Sequence, residues 1–262
     1  MHEQSIRRHF ESMGARVRFR RQERDVNRWR RRDFYGLAID VARDRRGSCF
    51  EITVGQDPPE LTVMQARPKE RHLLLYADDG NRFLCGHDER DWFVAAVPER
   101  VSTIHDAMRA LMPDSVREAA HGVSPVETAR RRNGVFKRQG EWFFVPVDRE
   151  FPNALVHGNE PIQRTTWSKP HVCEELYREN GQTVYVVGRD MFTAEEYRER
   201  SQRDEEFAKR PSHIRVANPD IYARGAIRHP DHATLHLKGW HRVLLNREQP
   251  VSLQSSLVWF ID

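Results

Sequence analysis

Apolar and polar positions change their rhythm several times along the chain. Ile6, Phe10 and Met13 recur at spacings of four and three, which predicts a short amphipathic helix with Ser5 as its cap and Gly14 as its stop. The following "ARVRFR" alternates small or apolar residues with arginine, the pattern of a strand with one wholly cationic face. From Asp33 the period is that of strands: "FYGLAIDVA", "SCFEITV", "ELTVMQA", "HLLLYA", "NRFLCG" and "DWFVAAV", separated by "DRRG", "QDPP" and "DDG". The "DRRG" turn, with Gly47 last, suits a type I turn closed by a glycine bulge. "VSTIHDAMRALM" then reads as a helix capped by Ser102, with Ile104, Met108 and Leu111 on one face and Pro113 as its end.

A polar stretch, residues 113–133, reads as a connector. Beyond it, "VFKRQGEWFFVPV" predicts a hairpin turning at Gln139-Gly140, and "TAEEYRERSQRDEEFAKR" a helix whose Thr193 and Glu196 form a capping box. "LHLKGWHRV" reads as a second hairpin with Lys238-Gly239 in its turn, and "SLVWFI" as a closing strand. The expected fold is therefore α+β: two modules of mostly antiparallel sheet with a few short helices. An Arg-rich helix and strand (residues 1–32) precede a module at 33–112, and a histidine-containing module follows the connector at 134–262.

Composition narrows the class. At 262 residues the chain has room for one large or two modest cores, and six Trp with thirteen Phe argue against disorder. No apolar run approaches the roughly 18 residues of a membrane span, and "MHEQSIRRHF" has no signal-peptide core. Cys49, Cys85 and Cys173 are odd in number and widely spaced, which fits a reducing cytoplasm rather than a disulfide framework. The net charge of +4 hides its distribution: residues 7–32 hold eleven arginines against Glu11, Glu23 and Asp25, leaving the rest of the chain acidic overall. Arginine outnumbers lysine throughout, as in the product of a GC-rich bacterial genome, and its planar fork also suits phosphate.

That basic segment is the strongest functional signal. Arg16, Arg18, Arg20, Arg21, Arg28, Arg30, Arg31 and Arg32 surround Phe19 and Trp29, and Arg130, Arg131, Arg132, Lys137 and Arg138 repeat the pattern beside Phe136 and Trp142. Guanidinium groups meet phosphates and aromatic faces stack on unpaired bases, so RNA or single-stranded DNA is the expected partner. The plain alternative is a solvated face paired with acids of this protein or of a partner protein. No helix-turn-helix, Walker loop, G-x-G-x-x-G or H-E-x-x-H pattern is visible.

Residues 228–243 hold four histidines. If Lys238-Gly239 is a hairpin turn, then His232, His236 and His241 share one face, a nest for a divalent transition metal with His229 and Asp231 nearby. An exposed polar face is the plain alternative. "FLCGHDERDWF" groups Cys85, His87 and Asp88, though adjacent strand positions diverge and make no ready dyad. Asp40 and Glu51, in "AIDVARDRRGSCFEIT", resemble the acidic hairpin of restriction-type nucleases, which would make them metal carboxylates; where that motif wants a lysine this chain has Thr53. His157–Glu160 and His171–Glu174 share an H-x-x-E spacing that Pro161 and Pro170 keep from being helical. The expectation is thus a cytoplasmic nucleic-acid-associated protein without membrane attachment. The alternatives are a metal-dependent hydrolase or nuclease and a docking subunit of a larger assembly.

Overall fold

The computed structural model describes residues 3–21, 36–164, 168–188 and 190–248. The closing strand expected in "SLVWFI" lies outside them. They form a mixed α+β protein of mostly antiparallel sheets, and no helix among them is long and apolar enough to cross a membrane. Residues 3–135 with 246–248 make one compact unit and residues 136–245 a second.

The first unit opens with α1 (Glu3–Ser12) and β1 (Val17–Arg21), then a hairpin of β2 (Leu37–Asp44) and β3 (Gly47–Val54). The hairpin closes Asp44 on Gly47, whose φ of 99° is the left-handed glycine conformation expected of "DRRG". β1 lies parallel to β3, from Val17 opposite Phe50 to Arg21 opposite Val54. Strand alternation turns Val17, Phe50, Ile52 and Ile39 towards Ile6 and Phe10 of α1 and Met13 just beyond it, leaving Arg18 and Arg20 exposed.

An antiparallel meander follows: β4 (Leu61–Arg67), β5 (His72–Ala77), β6 (Arg82–Asp88) and β7 (Asp91–Ala96). It is buried on both faces. Leu73, Leu75, Phe83 and Cys85 join the α1 core, while Leu74, Leu84 and Ala95 pack on Ile104, Ala107 and Leu111 of the helical side. This explains the continuous apolar run "HLLLYA" where one-sided burial would give alternation. α2 (Ile104–Ala110) is capped by Thr103, one residue later than expected, because its Oγ1 accepts the Asp106 amide at 3.1 Å. The stretch read as a connector folds into two short helices, α3 (Asp114–Ala119) and α4 (Pro125–Thr128).

The second unit is built on β8 (Lys137–Gln139), β9 (Trp142–Pro146), β10 (His157–Ile162), β11 (His171–Glu179), β15 (Asp220–Arg228) and β16 (Leu235–Leu245). These form one antiparallel sheet in the order β10-β11-β15-β16-β9-β8. Between β11 and β15 the chain makes an excursion through β12 (Gln182–Val187), β13 (Asp190–Thr193), α5 (Ala194–Arg203), α6 (Glu205–Ala208) and β14 (Ser212–Ala217). The Thr193–Glu196 capping box is present at the start of α5. The β8–β9 turn falls at Gly140-Glu141, since Gln139 pairs with Trp142.

The sheet curls strongly. Gln139 Nε2 donates to the Ala233 carbonyl at 2.7 Å and Lys137 Nζ to that of His236 at 3.4 Å, which returns the β8 edge to the β15–β16 connection. Trp142, Phe144, Ile162, Cys173, Leu176, Ile227 and Leu235 fill the interior. Two irregularities, of the kind that bend and twist a strand, interrupt the sheet's register. In the first, β15 bulges: Gly225, at φ 82°, and Ala226 together face the single residue Glu174 of β11, whose Oε2 accepts the Ala226 amide at 2.7 Å.

The second irregularity corrects the expected hairpin at Lys238-Gly239. Residues 235–245 are a single strand, in which the step from Leu237 to His241 faces only the step from Gly225 to Ala223. Gly239, at φ 73°, serves a bulge instead of a turn. Positive φ is the shared requirement of both, so the same dipeptide fits either. His236 and His241 are therefore not opposed across a hairpin.

Candidate metal centre

Three chain segments meet at one end of the curled sheet. His171 begins β11, across from Ile162 of β10. The next residue, Val172, pairs with Arg228, so His171 comes beside His229 as the chain leaves β15. His229, Pro230, Asp231 and His232 then form a tight turn in which the His232 amide reaches the His229 carbonyl at 3.4 Å. Each of the three histidines offers one ring nitrogen, and these nitrogens lie within 4.8 Å of one another. His171 stacks on His229 at 4.2 Å and on His232 at 5.7 Å between centroids, and His229 and His232 meet tilted at 4.6 Å.

His171 is only 1% exposed, and among the described residues neither of its ring nitrogens has a hydrogen-bond partner. Burial, reinforced by His229 and His232, pushes its pKa down to about 2, so the ring is neutral across the physiological range. His229 is also lowered from its ordinary value, by burial first and by His232 second, with the Asp231 carboxylate and the Lys169 carbonyl pulling the other way. Neutral imidazoles with lone pairs to give are what a divalent ion needs. Two nitrogens on a tetrahedral ion stand about 3.3 Å apart, given Zn–N bonds of roughly 2.0–2.1 Å, so closing on an ion takes a contraction within reach of side-chain rotation.

The surroundings set conditions on that closure. His229 Nδ1 accepts the Asp231 amide at 3.1 Å, which puts the proton of the neutral ring on Nε2. To serve as a ligand through either nitrogen, His229 must give up the Asp231 amide: Nδ1 directly, or Nε2 once its proton has moved to Nδ1. Lys169 Nζ grips both carboxylate oxygens of Asp231, at 2.7 and 2.8 Å, holding the turn in place. Gly140 closes the other side. At φ 57° it has no side chain, and a Cβ there would stand 3.0 Å from His232 Nε2 and 3.5 Å from His171 Nε2. Both nitrogens therefore open towards the space that glycine leaves.

Of the three histidines expected to share one face, His232 alone belongs to this group, with His229, expected nearby, beside it. His236 is exposed, and His241 is buried with Nδ1 at 3.0 Å from the Gly239 carbonyl. Among the described residues this is the one group of three or more potential ligands. His171 carries no sequence signal of membership, because strand pairing alone brings it to the turn; the His229/His232 spacing across Pro230 is a local signal. The remaining candidates are accounted for by their neighbours. Asp40 and Glu51 are directly paired on β2 and β3, but Arg18 takes Glu51 at 2.5 Å. Cys85 and Cys173 are buried, and burial raises the Cys173 thiol to about 12 and the Cys85 thiol further, so neither is a ready nucleophile. His87 packs edge-on against Trp92 at 4.8 Å.

The arginines divide. Arg16 makes a two-pronged contact with Asp44 at 2.8 and 3.0 Å, and Arg21 reaches Glu3 at 3.4 Å. Arg130 pairs with Glu127 at 2.8 Å, and Arg131 with Asp88 and Glu89. Arg20 and Arg132 are exposed, and Lys137 and Arg138 are half-buried. Arg28, Trp29, Arg30, Arg31 and Arg32 lie outside the described residues. Comparison with known proteins returns no matching family model, no matching curated protein and no matching solved structure.

Proposed function

We propose that this protein binds a divalent transition-metal ion, Zn²⁺ in the first instance, through His171, His229 and His232, and that the centre serves hydrolysis. The observation that carries this reading is His171: a buried ring whose two nitrogens lack partners among the described residues and that is stacked on two further imidazoles. Leaving a polar group buried and unbonded costs about 1–3 kcal/mol. Coordination turns that liability into a ligand. Three protein ligands with a fourth position left for water is the arrangement of catalytic zinc, where the ion lowers the water's pKa from 15.7 to about 7.

The first check is elemental analysis of protein purified without metal-affinity steps and then dialysed against Zn²⁺. About one equivalent is expected, falling below about a tenth in His171→Ala and in His229→Ala, since loss of a ligand costs more than the roughly 10–100-fold that loss of an outer partner costs. A wild-type chain that retains no Zn²⁺, Co²⁺, Ni²⁺ or Cu²⁺ overturns the reading.

A second reading, association with RNA or single-stranded DNA, rests on β1, where Arg18 and Arg20 are exposed on its outward face. Arg18 would have to exchange Glu51 for a phosphate. Binding of oligo-U or oligo-dT measured between 50 and 200 mM salt is expected to weaken steeply, and Arg18→Ala with Arg20→Ala to flatten the log–log slope by about 1.4, at roughly 0.7 per single-strand phosphate. A slope unchanged by the double substitution removes β1 from the account.

A further inference from the structure

We infer that the fourth coordination position of this centre is reserved for a small exogenous anion, and that the Lys169–Asp231 ion pair keeps it so by holding the chain's own carboxylate away. This rests on the metal reading above and goes beyond it by naming what the ion takes.

Charge favours an anion. The three ligands are neutral imidazoles, and no carboxylate or thiolate joins them among the described residues. A divalent ion there keeps its whole charge of +2 beside a ring that is 1% exposed. Charge in such a place demands a counter-charge, and an anion at the open position supplies it most directly.

Asp231 is placed to compete for the same position. It sits between two ligands in sequence, and its own amide bonds His229. A carboxylate so close is the obvious fourth ligand, which would close the centre as a purely structural site. Instead both of its oxygens are held by Lys169 Nζ, at 2.7 and 2.8 Å. Lys169 precedes His171 by two residues, so one short segment supplies a ligand and the restraint on its competitor.

Space favours a small anion. The Nε2 atoms of His171 and His232 open towards Gly140, where even a methyl group would come within 3.0 Å of one of them. The β8–β9 turn thus walls one side of the centre closely and limits the size of what can join the ion there. Azide and formate meet that limit; benzoate does not. When azide enters, it displaces the water and the net charge of the centre falls from +2 to +1.

The test uses the full chain loaded with Co²⁺, whose visible absorption reports its ligands, titrated separately with azide and benzoate. Azide is expected to change the spectrum saturably and benzoate to leave it unchanged. In Lys169→Met the released carboxylate should occupy the position and weaken azide at least tenfold with Co²⁺ still bound. Lys169→Met combined with Asp231→Asn should restore the azide response, and Asp231→Asn alone should keep it, which guards against misfolding of the single lysine variant. Co²⁺ bound without any response to azide overturns the inference and leaves the metal centre standing. An azide affinity unaltered in Lys169→Met overturns the role of the ion pair, and tight benzoate binding overturns the size limit. Failure of Co²⁺ to bind at all takes the metal reading down and this inference with it.

Discussion

Replacing His171 with phenylalanine is expected to stabilise the metal-free protein while abolishing its response to metal. The wild-type ring is buried with two nitrogens that find no partner among the described residues. Phenylalanine removes that desolvation cost, about 1–3 kcal/mol, and keeps a flat ring to stack on His229, now 4.2 Å away, and to meet Trp142 edge-on at 6.4 Å. For a chain of this size the gain corresponds to a rise in melting temperature of about 2–4 °C for each kcal/mol. In the wild type, saturating Zn²⁺ should raise the melting temperature, because an ion bound only by the folded state stabilises it. In His171→Phe that increment should vanish. The two melting curves thus cross in order when metal is added. A variant that melts below the metal-free wild type would show that His171 is a satisfied core residue, and the centre would lose its main support.

Acid is expected to unfold the metal-free protein earlier than its carboxylates alone require. The His171 pKa of about 2 lies far below the roughly 6.5 of a histidine in an unfolded chain. Between those values the unfolded state carries a proton that the folded state refuses, so stability rises with pH there. The contribution is whole above about pH 6.5 and is lost as pH falls below it, at up to about 1.4 kcal/mol per pH unit for one proton. Urea midpoints at pH 7, 6 and 5 measure it, before carboxylates such as Asp44, held near 2 by Arg16, begin to protonate. His171→Phe should be flatter by that slope over the same window. Parallel curves for the two proteins would mean that His171 titrates like an exposed imidazole.

Much of the architecture can be read from residue order because its causes are local. The β2–β3 hairpin follows from "DRRG", the start of α5 from Thr193 and Glu196, and the solvent face of β1 from alternation with arginine. What cannot be read depends on distant pairing. Nothing around Val17 announces a parallel partner at Phe50, since parallel neighbours share no turn. The histidine group fails to show for two reasons. Lys238-Gly239 satisfies a bulge as well as a turn, so His236 and His241 are drawn together on paper and apart in space. His171 stands before the whole excursion from β12 to β14, and only the register of β11 on β15 places it against His229. The two members of the group that are local, His229 and His232, come from a single turn.

That excursion gives an occupied centre a topological role. His171 precedes it and His229 follows it, so an ion held by both closes the β12–β14 segment into a covalent-and-coordinate ring. A protease that cut once within α5 would open the chain without parting it: the halves would stay clasped at the ion as well as through the β11–β15 ladder. Chelation then becomes the second key, and the nicked protein the form in which a metal's grip on the fold is most directly felt.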